Sequence, residues 1–366
     1  MRKVLHILSE LKPSGAETML ECAADIFTKE GIKTSILSTG KNIGVYATAL
    51  QSKGYAVQHI PFTKSISFFI KFIKNLKINN YDAVHIHVEQ AFIYYAFIIW
   101  LYGVKKVIRT VHHIYPWNGY LRYRSMIHRK ICVNILGVIF TSNSLSGKNN
   151  EKKYYDIDNV LIPNWFDSNK YKSRSKSDYI ISRKNLDIHD DQMIIVSLGG
   201  NSGYKNYNLI VEALSLLQKE VKVLYLQVGS LMNEEADIKE LARSLKVEDK
   251  VRFCGRVQDP LPYLNCADVY IMPSSIEGFG VAAAEAMAVG LPSILSNRPA
   301  LSDFKHDCEE IVYTDCDPVS IATAIGTMWN WGLERRWISG QKLAQVMQKK
   351  YGLDVGPLEF IKLYKS

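Results

Sequence analysis

The 366-residue sequence has no long apolar run. Its most apolar window, AFIYYAFIIWLYGV at Ala91–Val104, has 14 residues, short of the roughly 20 needed to cross a bilayer. It reads as a buried domain helix ending at Gly103. The opening MRKVLHIL is basic and then apolar, but Ser9, Glu10 and Lys12 break the run too early for a signal peptide. It reads as a first buried strand. Cysteine is sparse: Cys22, Cys132, Cys254, Cys266, Cys308 and Cys316 are scattered, with no C-x-x-C pair. That excludes a disulfide framework and fits buried thiols in a reducing compartment. Short repeats and low-complexity tracts are missing, which argues against solenoids and linkers. A hydrophobic share of 47% and a charged share of 22% exclude a disordered chain.

Charge is present in excess of one sign. Lys+Arg is 45 against 36 Asp+Glu, a net of +9. Such a surplus suits nucleic acid, a phosphorylated substrate or an anionic membrane. It is unevenly spread. Residues 1–165 hold 21 basic and 10 acidic side chains, and residues 166–366 hold the remaining 24 and 26. Two halves of different electrostatics suggest two domains with different tasks.

Both halves alternate short β-branched runs with longer amphipathic segments, the pattern of βαβ units on a parallel sheet. In the first half the strand candidates are Val4–Leu8, Thr34–Leu37, Ala83–Val88, Lys106–Val111 and Val138–Thr141. The helical candidates are Glu17–Glu30, Ser67–Lys77, Ala91–Leu101 and Leu121–Leu136. A polar connector, Asp167–Asp178, follows. The second half offers strands at Met193–Leu198, Val221–Val228, Val251–Phe253, Val269–Met272 and Ser293–Leu295. Its helices are expected at Tyr207–Gln218, Ala236–Leu245, Val281–Val289 and Pro318–Trp331. The expected architecture is α/β, two doubly wound Rossmann-like domains facing a central cleft, with ligands outside the carboxyl ends of the strands.

The segment richest in chemistry is PSSIEGFGVAAAEAMAVGLP, Pro273–Pro292. A strand ends at Pro273, a loop carries Glu277, Gly278, Phe279 and Gly280, and a helix of small residues starts at Val281. Glu277 lies before the helix start and Glu285 about one turn beyond it, so both can face one crevice. Between them, the N–H groups of a helix N-terminus form an anion seat. Gly278 and Gly280 let the backbone approach a ligand closely. Carboxylates accept hydrogen bonds from sugar or ribose hydroxyls. The ensemble suits a nucleotide-sugar.

The E-x7-E spacing in EGFGVAAAE, followed by Gly290-Leu291-Pro292, resembles the donor site of family-4 retaining glycosyltransferases of the GT-B fold. DAVHIH at Asp82–His87 resembles their D-x-V-H-x-H strand, and TVHH at Thr110–His113 their T-x-H segment. IPNWFD at Ile162–Asp167 resembles their I-P-N-G-x-D connector, with Trp165 in the Gly place. Phe253-Cys254-Gly255 and Ala267-Asp268-Val269 precede the donor loop as expected, so the match runs nearly the whole chain in order. The resemblance implies that Glu277 holds the donor sugar's hydroxyls and Glu285 the ribose. The backbone of Phe279, Gly280 and Val281 would meet the diphosphate or sugar, and His112, favoured over His113, would line the reaction centre. It also implies domains at 1–166 for the acceptor and 167–345 for the donor, and a C-terminal helix in 346–366 packing back toward the first domain.

Two positions depart from the family pattern. In LGGNSGYKN, Leu198–Asn206, Lys205 stands at the expected Lys, but Gly200 replaces the phosphate-binding Arg. Asn201, Ser202, the backbone of Gly199–Gly203 or Arg256 are candidate substitutes. Near the N-terminus, Ser14-Gly15-Ala16-Glu17 keeps one of the family's two glycines, and Gly15 still places a helix end toward a diphosphate. His85 and His87 share one face of a strand, and no third metal-ligating partner is evident. Asp156–Asp158 and Asp315–Asp317 match D-x-D, but one precedes the connector and the other caps a helix at Pro318. No metal or cofactor is expected beyond the nucleotide-sugar co-substrate.

The basic amphipathic segments Ser67–Lys77 and Tyr120–Lys130 suggest an anionic membrane face. In Ser67–Lys77, Phe68, Phe69, Phe72, Ile73 and Leu76 alternate with Lys71, Lys74 and Lys77. Tyr120–Lys130 carries Arg122, Arg124, Arg129 and Lys130. Nucleic acid is not expected, because neither a recognition motif nor an Arg-and-aromatic stripe is present. The expected activity is transfer of a sugar, with a UDP-sugar preferred as donor, to a polyprenyl-diphosphate-linked glycan. The setting would be bacterial capsule, O-antigen or exopolysaccharide synthesis at the cytoplasmic face of the inner membrane. Alternatives are a hydrolase, epimerase or phosphorylase of the same fold, or a non-catalytic nucleotide-sugar-binding subunit.

Overall fold

The computed structural model describes residues 1–114, 117–200, 203–231 and 234–366. The chain forms two compact units, Met1–Asp167 with Leu353–Ser366, and Ser168–Gly352.

The first unit alternates β1 (Arg2–Leu8), α1 (Gly15–Lys29), β2 (Ile32–Ser38), α2 (Ala47–Ser52), β3 (Ala56–His59), α3 (Ile66–Asn79), β4 (Ala83–Ile86), α4 (Phe92–Tyr102), β5 (Lys106–Val111), α5 (Gly119–Asn134), β6 (Ile139–Ser142), α6 (Leu145–Tyr155) and β7 (Val160–Leu161). The strands form one parallel sheet in the order β3-β2-β1-β4-β5-β6-β7. Strand order reverses between β1 and β4, the place where such sheets open a crevice. Parallel strands covered on both faces read as continuous apolar runs; Val4 to Leu8 and Ala83 to Ile86 are buried throughout. Ser65 starts α3 by accepting the N–H of Phe68 at 3.3 Å, and Asn80 ends it in the left-handed conformation.

The first helix of the second unit is α7 (Lys176–Asn185), which starts within the last residues of the expected connector and runs beyond it. A reciprocal capping box sets its start: Ser175 N–H donates to Asp178 at 2.9 Å, and Asp178 N–H to Ser175 Oγ at 3.1 Å. It continues through β8 (Met193–Leu198), α8 (Tyr207–Ser215), β9 (Val223–Val228), α9 (Glu234–Ser244), β10 (Val251–Gly255), α10 (Leu261–Cys266), β11 (Val269–Met272), α11 (Val281–Val289), β12 (Ser293–Ser296), β13 (Val312–Thr314), α12 (Pro318–Asn330) and α13 (Gly332–Tyr351). Its parallel sheet runs β10-β9-β8-β11-β12-β13, with the reversal between β8 and β11. Asp317 caps α12, accepting the N–H of Ser320 at 2.9 Å.

The unit boundaries differ from the expected ones. α13 runs past residue 345 and stays with the second unit, and the chain returns to the first only at Leu353. The returning α14 (Gly356–Lys365) buries Phe360, Ile361 and Tyr364 in the first unit's core with Trp165. Trp165, in the family's Gly place, donates its indole N–H to the Met19 carbonyl at 3.0 Å. A Cβ at position 356 would lie 2.3 Å from its ring, so Gly356 is what admits the indole.

Two expectations about surface helices need correction. Arg129 is not on a basic face. It is buried, bonded to Glu151 at 2.7 Å and Glu89 at 3.1 Å, and stacked over Tyr155 at 4.2 Å. Arg109 completes a quartet with Glu89. Burial alone would raise the Glu89 carboxyl, but Arg109 and Arg129 overcome it and hold the group below its ordinary value. Nor is α4 wholly buried. Phe92, Tyr95, Ala96, Ile98 and Ile99 face the core, while Tyr94, Phe97, Trp100 and Leu101 are exposed.

Removing one member of a buried ion pair strands the other's charge. Arg129→Leu should therefore cost about 3–5 kcal/mol in urea unfolding. Arg129→Leu with Glu151→Leu should recover part of that loss; a single-variant cost near zero would contradict the quartet's structural role.

Candidate functional site

In the second unit the loops after β8 and β11 leave adjacent strands at the switch point. Ser275 N–H donates to the Tyr204 carbonyl at 2.8 Å, and the Asn206 amide to the Pro273 carbonyl at 2.8 Å. These bonds tie the loops together. Across them the Lys205 ammonium lies 2.5 Å from Glu277 Oε1, both side chains half-buried. The pair joins residues 72 apart in sequence.

α11 starts beside this pair. Its N-cap is Gly280, at φ 91°, with no side-chain cap bond. The helix end therefore keeps its positive dipole and first-turn N–H groups for an anion. A Cβ on Gly280 would come within 2.6 Å of Leu301, so glycine is required there on two grounds. Phe279 is buried against Phe304 and Tyr351 at ring distances of 5.4 and 5.2 Å, which fixes the loop's course. Gly278 lies buried between Glu277 and Phe279, and Val281 opens the helix. Glu285 is buried in the second turn of α11. Both acids are felt at one buried phenol: burial pushes Tyr270 up, and Tyr207, Glu277 and Glu285 push it further.

Gly199 stands at φ 143°, and a Cβ there would meet Tyr207 Oη at 2.9 Å and Lys205 Cε at 3.7 Å. Its carbonyl accepts from Tyr207 Oη and from Gln227 Nε2, each at 3.2 Å. Tyr207 and Gln227 were not foreseen as support for the loop. The available signal was a glutamine near the end of an otherwise apolar buried strand, VLYLQV. Gly200 is exposed in the same loop; Asn201 and Ser202 lie outside the described residues. Arg256 is exposed just after β10, two strands from β8, and is not part of the Lys205–Glu277 pair.

In the first unit the loop after β1 leads into α1. Ser14 occupies the N-cap position but donates its hydroxyl to Glu17 instead of capping the helix. Glu17 is buried, and that burial raises its carboxyl. With an acid already at this helix end, the place suits a hydroxyl better than a phosphate. Gly15 begins the helix, and Ala16 lines a small cavity together with His6, His87 and His112.

The third histidine that the sequence did not reveal is His6. The β1–β4 register sets it beside His85. Ring nitrogens of His6, His85 and His87 lie within 4.8 Å of one another. Hydrogen bonds already occupy most of them. His85 meets Tyr364 Oη and Thr110 Oγ1, each at 2.7 Å. His87 meets His6 at 3.0 Å and His112 at 2.9 Å. A metal would have to displace these bonds. Of the D-x-D acids, Asp156 and Asp158 pair with Lys152, and Asp317 serves as a cap.

The chain matches two family models that together take in most of its length. Residues 13–170 match Glycosyltransferase Family 4, and residues 178–339 match Glycosyl transferases group 1. The chain belongs to glycosyltransferase family 4, with the GT-B fold. Among solved structures, a glycosyltransferase from Rickettsia africae superposes with a TM-score of 0.87 at 18% identity, covering 100% of this chain and 98% of that one. HepE of Anabaena, in complex with UDP and glucose, superposes with a TM-score of 0.82 at 18% identity over 100% of both chains. The O-antigen biosynthesis glycosyltransferase WclY of Escherichia coli is 28% identical over 206 residues, 54% of this chain and 56% of WclY. The chain thus spans little more than half the length of that curated relative.

Burial keeps the four clustered histidines neutral: it lowers His6 to about 3 and holds His85, His87 and His112 well below the ordinary value. Above about pH 6.5 folded and unfolded states are both neutral there, and stability is full. Below it the unfolded chain binds protons that the folded chain refuses. Stability should then fall, with a slope that for His6 approaches about 1.4 kcal/mol per pH unit. Urea unfolding from neutral pH to about pH 5 checks this; a flat profile would contradict neutral burial, and His6→Phe should shallow the slope.

Proposed function

We propose that this chain transfers a sugar from a nucleoside diphosphate, with uridine as the preferred nucleoside, to a hydroxyl of a lipid-linked glycan in bacterial surface polysaccharide synthesis. The observation that carries the reading is the Lys205–Glu277 pair beside the uncapped start of α11. Lys205 gives one N–H to Glu277 and offers its remaining donors and its positive charge to the diphosphate. The helix end adds backbone donors from Phe279, Gly280 and Val281, which stabilise charge where it develops. These groups take over the role of the arginine replaced by Gly200, and no metal is invoked. Glu277 accepts from sugar hydroxyls and Glu285 from the ribose. The UDP complexes of HepE and the O-antigen role in the name of WclY support this choice of donor and pathway.

In the proposed step the acceptor oxygen bonds to the anomeric carbon from the face that the diphosphate leaves. The carbon–oxygen bond to phosphate breaks with its electron pair on the diphosphate, and the hydroxyl proton passes to that departing oxygen. Configuration is retained, and no carboxylate acts as a covalent nucleophile.

The acceptor's lipid fits the surface of the first unit. α3 exposes Ile66, Ile70 and Ile73 among Lys71, Lys74 and Lys77, while Phe68, Phe72 and Leu76 face the core. α4 exposes Phe97, Trp100 and Leu101, and α5 exposes Tyr120 and Tyr123 with Arg122 and Arg124. Apolar tips among basic residues suit the anionic cytoplasmic leaflet, at about 1 kcal/mol per basic residue. Among the described residues no helix is long and apolar enough to cross a membrane.

Lys205→Ala and Glu277→Ala should each lower kcat about 100- to 1,000-fold with urea stability little changed. Full activity in both would refute the site, and release of free sugar without an acceptor would favour a hydrolase. At about 100 times its Kd the correct nucleotide-sugar should stabilise the protein by roughly 2.7 kcal/mol. Sedimentation with phosphatidylglycerol vesicles, but not phosphatidylcholine vesicles, should capture the protein. Lys71→Glu with Lys74→Glu should release it; equal capture by both vesicle types would count against the charge-based docking.

A further inference from the structure

Three imidazoles stand in a row at the β1–β4 switch point. His6 Nδ1 is 3.0 Å from His87 Nε2, and His87 Nδ1 is 2.9 Å from His112 Nε2. The rings meet edge to edge and nearly coplanar, with centroids 5.3 and 5.2 Å apart and interplanar angles of 24° and 23°, as in-plane hydrogen bonds require. His85 packs on His87 at 4.0 Å but stays outside the row, because Tyr364 and Thr110 take its nitrogens. His6 is fully buried, while His87 and His112 reach partial exposure.

A neutral imidazole has one N–H and one lone pair. With two bonds joining three rings, every ring must donate in the same sense, all outward from His6 or all inward toward it. The inner end decides between the two. His6 Nε2 is buried and has no hydrogen-bond partner among the described residues. In the inward arrangement it would carry an orphaned N–H inside an apolar pocket lined by Phe27, Met19 and Leu20. In the outward arrangement only a lone pair is left there. Orphaned buried N–H groups are rarer than underused acceptors, so the outward sense is favoured. His6 then donates from Nδ1 to His87, His87 from Nδ1 to His112, and the proton of His112 is left on its own Nδ1.

We infer that His6 and His87 are positioning residues that hold His112 as its neutral Nδ1–H tautomer, so that it meets an oxygen of the bound substrate as a hydrogen-bond donor. This rests on the reading of His112 as a residue of the reaction centre. A purely packing role for the row would be indifferent to where the protons sit. A histidine's tautomer is generally set by the hydrogen bond that its other ring nitrogen makes.

The test is long-range proton–nitrogen correlation spectroscopy of the full chain with isotope-labelled histidine at neutral pH. The expected result is Nδ1–H neutral signals for His6, His87 and His112. His112 protonated on Nε2, or charged, overturns the inference. Two variants separate positioning from packing. His6→Asn retains an N–H donor toward His87 and should keep the His112 tautomer. His6→Phe removes the donor and should mix the His112 tautomers. It should also lower kcat about 10- to 100-fold with KM for the nucleotide-sugar unchanged. Equal kcat in both variants, or an unmoved tautomer in His6→Phe, also overturns it. The spectra need no turnover: absence of sugar transfer from every donor would defeat the proposed function without altering the tautomer result.

Discussion

In a parallel sheet every strand ends at the same edge, and this directional constraint governs where chemistry can gather in both units. Loops leaving β8 and β11 emerge side by side because those strands are hydrogen-bonded neighbours at the reversal of strand order. Only that adjacency lets Lys205 reach Glu277. The same constraint in the first unit sets β1 against β4 and so brings His6 to His85 and His87. The bonds between loop backbones, Ser275 to Tyr204 and Asn206 to Pro273, keep the second unit's loops in place without burying the polar groups that a ligand needs.

Charge in this protein divides into two kinds of work. The buried quartet of Arg109, Glu89, Arg129 and Glu151 is internal, with aromatic faces of Phe92 and Tyr155 beneath its guanidinium groups. Its two positive and two negative charges cancel, so the quartet adds nothing to the net charge or to attraction at a distance. Lys71, Lys74, Lys77, Arg122 and Arg124 remain exposed among apolar tips. The basic surplus of the first half is therefore a property of a surface made by neighbouring helices. The second half has a slight acidic excess, so the proposed anionic ligand would depend on a few placed donors rather than on bulk charge.

Much of the candidate site's local structure was legible in order along the chain. β8, β11 and α11 begin and end where the apolar runs and glycines place them, since short buried strands and a Gly-bounded helix announce their own limits. The spacing of Glu277 and Glu285 around a helix start could be read for the same reason. The start of α7 was less legible, because its capping box lies in the Lys- and Ser-rich end of the connector stretch. The return of a C-terminal helix was expected from the resemblance; its seating, with Phe360 edge-on to Trp165 and Gly356 admitting the indole, came only with the tertiary structure.

The sequence by itself determined the fold class, the family and the local course of the Gly278–Val281 loop, because these follow from periodicity, turn residues and spacing within short stretches. Tertiary structure alone decided that Lys205 meets Glu277 and that Gln227 and Tyr207 hold the Gly199 carbonyl. It also decided that Arg129 is buried and that His6 joins His87 and His112 in one row. These relations connect residues far apart in the chain. Their physical basis is strand order and register, which one strand's own residues do not specify.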